Sequence, residues 1–275
     1  SSTSRGLGDV YKRQKWMWWS QRIGGYNALD YLVKVRGISF VEAVETLMGK
    51  SAVMSVLTVR PKQEEKPKVL LLPEKSKTTD RIREYLFSRG IDGAITDECI
   101  KKGVIFESLP YHNIVFVGFD EKQKPKYAAF RATNSRRILG DCSGSDKHYS
   151  FRLADSESKE VHLFECAIDL LSYATLAKLS GRDWHKENLV SLAGVYLPKE
   201  KIEESTTPAA VVKYLDGRPD IEKIHIHFDN DNAGRKATEA LKAILPKKYE
   251  IFDEPPKKGK DYNDYLCKQL GIYKS

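Results

Sequence analysis

The period of apolar positions changes partway along the chain. From about residue 161 onward, short β-branched and aliphatic runs alternate with stretches whose apolar residues recur at helical spacing. Residues 161–164, 189–192, 223–228 and 249–252 read as buried strands. Residues 167–179, 208–215, 232–245 and 261–270 read as helices, the third opened by Asn232-Ala233-Gly234. Strands alternating with helices at this spacing predict right-handed βαβ crossovers. The fold class is therefore α/β, a parallel sheet with helices on both faces.

The first half has a different rhythm. A helix is expected from Thr78 or Thr79 to Ser88, closed by Gly90, and a second, shorter one from Thr96 to just before Gly103. Strands follow at 104–106, 114–119 and 126–131, the last two joined by a turn at 120–123. Arg136, Arg137 and residues 140–148, with Lys147 near the end, form a polar loop that suits phosphate contacts or simply faces water. Residues 78–158 thus predict a smaller α+β domain ahead of the parallel sheet, which is expected over 159–275. Residues 58–77, rich in Pro, Lys and Glu, read as a linker, and 156–159 as a weaker break.

Residues 15–57 predict a short β/helical module. An aromatic, strand-like run at 15–20 leads to a turn at Gly24-Gly25 and a helix after Asn27. Ser39 caps a second helix, with Glu42 at the capping-box position. Residues 1–14 have no fold logic. Residues 4–14 match the in-frame translation of a transposase-type sequencing-library adapter. The segment is therefore expected to be non-native, to stand in place of a natural N-terminus and to pack against nothing.

Composition narrows the partners. Hydrophobic residues make up 41% of the chain, enough for a packed core. No apolar run approaches the ~18 residues of a membrane span, and no secretory pattern is present, so the expected location is cytoplasmic. Cys99, Cys142, Cys166 and Cys267 are scattered and form no CxxC pair, which predicts free thiols and no zinc site. The net charge of +8 favours a polyanionic partner such as nucleic acid, although the lysines are spread along the whole chain.

The strongest chemical signal is where the acids fall. Glu165 directly follows the first strand of the α/β half, and Asp169 lies one helical turn beyond it. Asp229 and Asp231 follow the third strand, and Asp261 and Asp264 follow the last. Ligands on parallel sheets bind outside the carboxyl ends of the strands. Two carboxylates about 4 Å apart repel by roughly 4 kcal/mol at an effective dielectric near 20. A chain keeps them together if one is protonated, if Lys or Arg pairs with them, or if a divalent cation sits between them. Oxygen-only ligands suit Mg²⁺ or Mn²⁺ rather than zinc. A capping Asp beside a solvated Asp would explain residues 229–231 alone. It does not explain acids converging from three segments.

These motifs carry a resemblance. Glu-x-x-x-Asp after a strand, Asp-x-Asp-x-Ala-Gly after a strand, then Gly-Lys-Asp-x-x-Asp (Glu165–Asp169, Asp229–Gly234, Gly259–Asp264) resembles the Toprim domain of bacterial primases, topoisomerases and some nucleases. Arg83-Glu84-Tyr85-Leu86-x-x-Arg89-Gly90-Ile91, Ile114-Val115-Phe116 and Ala129-Phe130-Arg131 are similar to the start of the bacterial primase core. Gly24-Gly25-x-x-Ala28-Leu29-Asp30-Tyr31-Leu32 and the Gly37-Ile38-Ser39-Phe40 run resemble the tail of the primase zinc-binding domain, without its cysteines and histidine. The whole pattern is similar to primase-like proteins of bacterial mobile elements that join a domain of unknown function to a Toprim-like domain.

That resemblance implies synthesis of short RNA primers on single-stranded DNA from NTPs, by two-metal phosphoryl transfer with Mg²⁺ or Mn²⁺. Asp229, Asp231, Asp261 and Asp264 would hold metal, Glu165 would act as general acid/base or metal ligand, and Asp169 would support it. Arg131, Lys147 and Lys260 would contact nucleotide phosphate or template. A replicative helicase or relaxase is the candidate protein partner, in mobile-element or plasmid replication. Two rivals share the features: a Toprim nuclease using the same acids with water, and a non-catalytic DNA-binding replication module. Two positions depart from the primase pattern. Cys166 replaces the usual Gly, and Asn263 replaces a second Asp, which predicts weaker hold on one metal.

Overall fold

The strands of the second half assemble into one five-stranded sheet in a computed structural model. It describes residues 16–18, 23–25, 28–36, 42–43, 46–47 and 69–272, apart from 135, 137, 195, 197 and 200. Residues 1–66 and 67–275 form two compact units. In the first, β1 (Trp16–Trp18) pairs antiparallel with β2 (Ile23–Gly25), and α1 (Ala28–Lys34) follows. The adapter-like segment 1–14, and residues 58–68 of the expected linker, lie outside the described residues.

The second unit begins with α2 (Asp80–Ser88) and α3 (Gly93–Lys101). An antiparallel sheet follows, ordered β3 (Ile105–Glu107), β4 (Ile114–Phe119), β5 (Pro125–Arg131) and β6 (Leu139–Asp141). Helix α3 starts at Gly93, earlier than the expected Thr96, because the Asp92 side chain accepts from the Ala94 and Ile95 amides and caps it there. The region expected as a polar loop holds the edge strand β6 and a 3₁₀ turn at Lys147–Tyr149. Gly118 on β4 permits that turn to approach, since a Cβ there would lie 1.5 Å from the Tyr149 carbonyl oxygen. Residues 69–77 are not the open linker expected for 58–77. The Leu71 amide donates to the Ser143 carbonyl, the Ser76 amide to Glu107, and the Leu109 amide to Glu74, so the stretch lies along the antiparallel sheet.

The chain then forms β7 (Arg152–Leu153), β8 (Glu160–Phe164), α4 (Ala167–Leu179), β9 (Asn188–Ser191) and α5 (Ala209–Gly217). β10 (Lys223–Ile226), α6 (Asn232–Ile244), β11 (Glu250–Asp253) and α7 (Tyr262–Gln269) complete it. The sheet order is β11-β10-β8-β9-β7, parallel except for β7, which runs antiparallel to β9. The break expected at 156–159 therefore falls between two strands of one sheet.

Alternation along the strands sends side chains to two faces. Val161, Leu163, Ile224 and Ile226 bury on one face against Val211 of α5 and Leu241 of α6. Phe164 faces the other way, into a core shared by Leu170 of α4, Leu266 of α7 and Ile82 and Leu86 of α2. α4 is buried on nearly every side because it lies between the sheet and α2, α3 and α7. Each fully buried Leu or Ile there contributes about 1.5–3 kcal/mol. The same core joins both halves of the unit and fixes α4, and with it Asp169, against the sheet. Among the described residues, no helix is long and apolar enough to cross a membrane.

Candidate active site

Parallel pairing of β8, β10 and β11 brings their carboxyl ends to one edge, and the sequence places an acid beyond each. Glu165 follows β8 and accepts the Asp229 N–H on Oε1 at 3.1 Å. Asp229 and Asp231 follow β10. Lys260, in the loop after β11, puts Nζ 3.5 Å from Asp229 Oδ2 and 3.2 Å from Asp231 Oδ2. The Lys260 carbonyl also accepts the Asn230 N–H at 2.6 Å, which ties that loop to the 229–231 turn. Lys260 is thus a counter-charge inside the acid group, beyond its expected role as a phosphate contact.

Capping and cation-facing functions coexist in Asp231. Its Oδ1 accepts the Ala233 and Gly234 amides at 3.0 Å each and starts α6, while Oδ2 faces Lys260. Asp261 caps α7 through the Asp264 amide at 2.6 Å. Asp264 Oδ2 accepts from the Lys260 amide and from Lys268 Nζ, at 3.0 and 2.9 Å, so its own helix partly neutralises it. Asp169 is buried. It accepts the Asn263 amide on Oδ1 at 3.2 Å and the Cys166 thiol on Oδ2 at 2.9 Å. Burial holds the Cys166 thiol protonated, so it serves Asp169 as a donor.

The electrostatics follow from crowding. Burial, then repulsion from Asp229, pushes the Glu165 carboxyl up to about 7. Burial and the nearby Asp261 raise Asp169, and burial with Asp261 raises Asp229 against the pull of Lys260. Asp231 is lowered, chiefly by the Gly234 amide and also by Lys260. All of the donors are oxygens, and an ammonium already stands between two of the carboxylates, so the set fits a hard divalent cation. Among the described residues, no three of these acids close to within 4.8 Å of one another. Like charges with a single ammonium between them spread in this way.

Glu165 binds its proton more tightly folded, at about 7, than at its ordinary value of 4.5. Its contribution to stability is therefore complete below about pH 4.5 and is lost as pH rises through about 7. Without divalent metal, the melting temperature should fall between pH 5.5 and 8, and Glu165→Gln should flatten that slope. A wild-type slope unchanged by Glu165→Gln would refute the assignment.

Arg131, at the end of β5, borders a cleft of about 110 Å³ with Cys166, Ala167 and Gly194, beside Glu165. Lys147 reaches the same place, with Nζ 3.1 Å from the Ala193 carbonyl and 3.2 Å from Asp141 Oδ2. The expected loop residue Arg136 lies elsewhere, lining a separate apolar cleft with Pro110 and Ile138, and Arg137 lies outside the described residues.

The role of Asn263 differs from the sequence expectation of a weaker metal ligand. It is buried, donates Nδ2 to the Arg89 carbonyl at 2.9 Å and to Ser172 Oγ at 3.0 Å, and accepts Arg89 Nη1 on Oδ1 at 3.1 Å. An Asp could not make the two donations, so Asn263 locks α7 to α2 and α4 rather than serving as a weakened metal ligand. Only the position's departure from the Asp pattern signalled it.

Residues 162–266 match the family described as Toprim-like, and residues 84–157 match a family described as a protein of unknown function, DUF3991. The chain is 26% identical to the uncharacterized protein pXO2-78 of Bacillus anthracis, over 94% of this chain and 77% of that protein. Among solved structures it is similar to the primase fragment of the bacteriophage T7 primase-helicase protein, with a TM-score of 0.51 and 19% identity over 81% of each chain. It also aligns with the zinc-binding and RNA polymerase domains of the Aquifex aeolicus primase, at a TM-score of 0.45 and 16% identity, over 91% of this chain and 68% of that one. The chain therefore joins a segment of the unknown-function family to a Toprim-like domain, in a fold similar to that of the T7 primase fragment.

Proposed function

We propose that this protein is a primase-like nucleotidyltransferase that makes short RNA primers on single-stranded DNA, in mobile-element or plasmid replication. The observation that carries the reading is the acid group gathered from three strand ends of a fold similar to a primase fragment. Asp229, Asp231 and Asp261 would hold Mg²⁺ or Mn²⁺, with Asp264 behind them. The metal would supply charge neutralisation for a triphosphate and its alignment. Glu165, with its carboxyl near 7, is matched to taking a proton from an attacking ribose hydroxyl at neutral pH. Asp169 positions the Cys166 end of α4 and the Asn263 end of α7 around it. Arg131 and Lys147, beside the cleft at Cys166, are placed to meet phosphate. A replicative helicase or a relaxase is the partner such an enzyme would serve.

One observation favours a second reading. Lys260 already offsets the acid pair, as a module that only holds DNA would require. Incubation with single-stranded DNA, labelled NTPs and Mn²⁺ separates the cases on a sequencing gel. Labelled extension products are expected. Shortened DNA would mean a nuclease, and bound but unchanged DNA a binding module.

A further inference from the structure

β10 and the residue just past it, leading into Asp229, carry His225 and His227, which the acid chemistry leaves unused. Their side chains lie on the sheet face under α4 and α7, beside His162 of β8. His162 Nδ1 and His227 Nε2 are 2.8 Å apart, a distance at which the pair shares one proton. Glu254, just past β11, puts Oε2 3.6 Å from His227 Nε2 and 3.3 Å from His225 Nδ1. The ligand atoms of His162, His227 and Glu254 all lie within 4.8 Å of one another. The edge of a tetrahedral zinc site with ~2.0–2.1 Å bonds is about 3.3 Å, so small side-chain movements complete the set.

We propose that His162, His227 and Glu254 bind a zinc-class divalent cation, with His225 Nδ1 as the fourth donor within reach. Several features favour a site over a plain polar core. His225 Nδ1 is buried and makes no well-aligned hydrogen bond, although Glu254 Oε2 lies 3.3 Å away. His227 Nδ1 lies 2.8 Å from the Tyr262 hydroxyl and 3.2 Å from the Glu254 carbonyl, and Tyr262 donates to that same carbonyl at 2.9 Å. This arrangement fixes the proton on Nδ1 and leaves the Nε2 lone pair facing His162 and Glu254, as the hydrogen-bond partners behind metal-bound histidines do. A cleft lined by Arg182, His227, Glu254, Lys257 and Tyr262 supplies an entry path.

Imidazole donors select zinc-class ions, whereas the acid edge selects Mg²⁺ or Mn²⁺. The two sites would thus take different metals within a few residues of each other. A cation here would clamp Glu254 to β8 and β10 at the start of the loop that delivers Lys260 and Asp261. The sequence expectation of no zinc rested on cysteine spacing and did not weigh histidines from two strands. The proposal stands whether or not the acid edge is catalytic.

The test uses the full chain stripped by chelator and titrated with Co²⁺. Expected are one equivalent bound, visible bands of tetrahedral intensity, displacement by Zn²⁺, and no displacement by excess Mg²⁺. His227→Gln and Glu254→Gln should each weaken Co²⁺ binding about tenfold or more. Glu254 is half-exposed, so its variant keeps the test valid if the buried histidine variant does not fold. Absence of bound Co²⁺ in the wild type, or an affinity and spectrum unchanged in Glu254→Gln, would overturn the proposal.

Discussion

Gly234→Ala should lower the melting temperature by about 5 °C and remove stabilisation by Mn²⁺ at the same time. Gly234 is the third residue after the Asp231 cap, and its α carbon packs directly onto the turn that holds Asp229. A Cβ there would stand 2.1 Å from the Asp229 carbonyl oxygen, 2.8 Å from its carbon and 2.9 Å from its nitrogen. Every obstacle is backbone, so no side chain can swing away. Either α6 lifts from the sheet edge or the 229–231 turn shifts. The first loses packing of Ala237 and Leu241, and the second moves Asp229 relative to Glu165 and Lys260. Thermal melts with and without Mn²⁺ read both effects. A variant within 1 °C of wild type that keeps its Mn²⁺ shift would mean the close approach is not needed.

Asp229→Asn should separate stability from chemistry. Asp229 is raised by burial and by Asp261, so it carries a repulsive charge without metal. Removing that charge at nearly constant shape should leave the metal-free protein as stable or slightly more so. With Mn²⁺, the stabilisation by mass action should vanish, and the proposed nucleotidyl transfer should drop about a hundredfold or more. Asp231 is the contrasting case, because its Oδ1 caps α6. Asp231→Asn should keep most of that cap, while Asp231→Ala should cost about 1 kcal/mol. If Asp229→Asn destabilised the metal-free protein and left the Mn²⁺ shift intact, its carboxylate would be structural.

Much of this arrangement is readable from local pattern. Residues 167–179 form a helix with the expected bounds, and the acids fall at strand ends because β-branched runs stop where Asp and Glu begin. The sequence reading fails where structure depends on distant partners. Leu139-Gly140-Asp141 has no strand signature of its own and becomes β6 by pairing with β5. β7 is two residues long, too short to show a period, and exists because Leu189 and Val190 face it. Asn263 owes its role to Arg89 and Ser172, far back in the chain. Residues 69–77 read as linker by composition, yet their amides and carbonyls find partners on residues 107–109 and 143. The histidines were absorbed into an apolar run, and only parallel pairing of β8 with β10 stacks them on one face.

The most direct test of the acid site is calorimetric titration of Mn²⁺ into the metal-free protein near pH 6.5, repeated in buffers of different ionisation enthalpy. Burial and Asp229 push the Glu165 carboxyl up to about 7, so it holds a substantial share of a proton there. Cation binding at the acid edge should therefore release protons, and the apparent enthalpy should depend on the buffer. Both binding and proton release should disappear in Asp229→Asn/Asp261→Asn. Mn²⁺ binding that releases no protons and survives the double substitution would contradict the account.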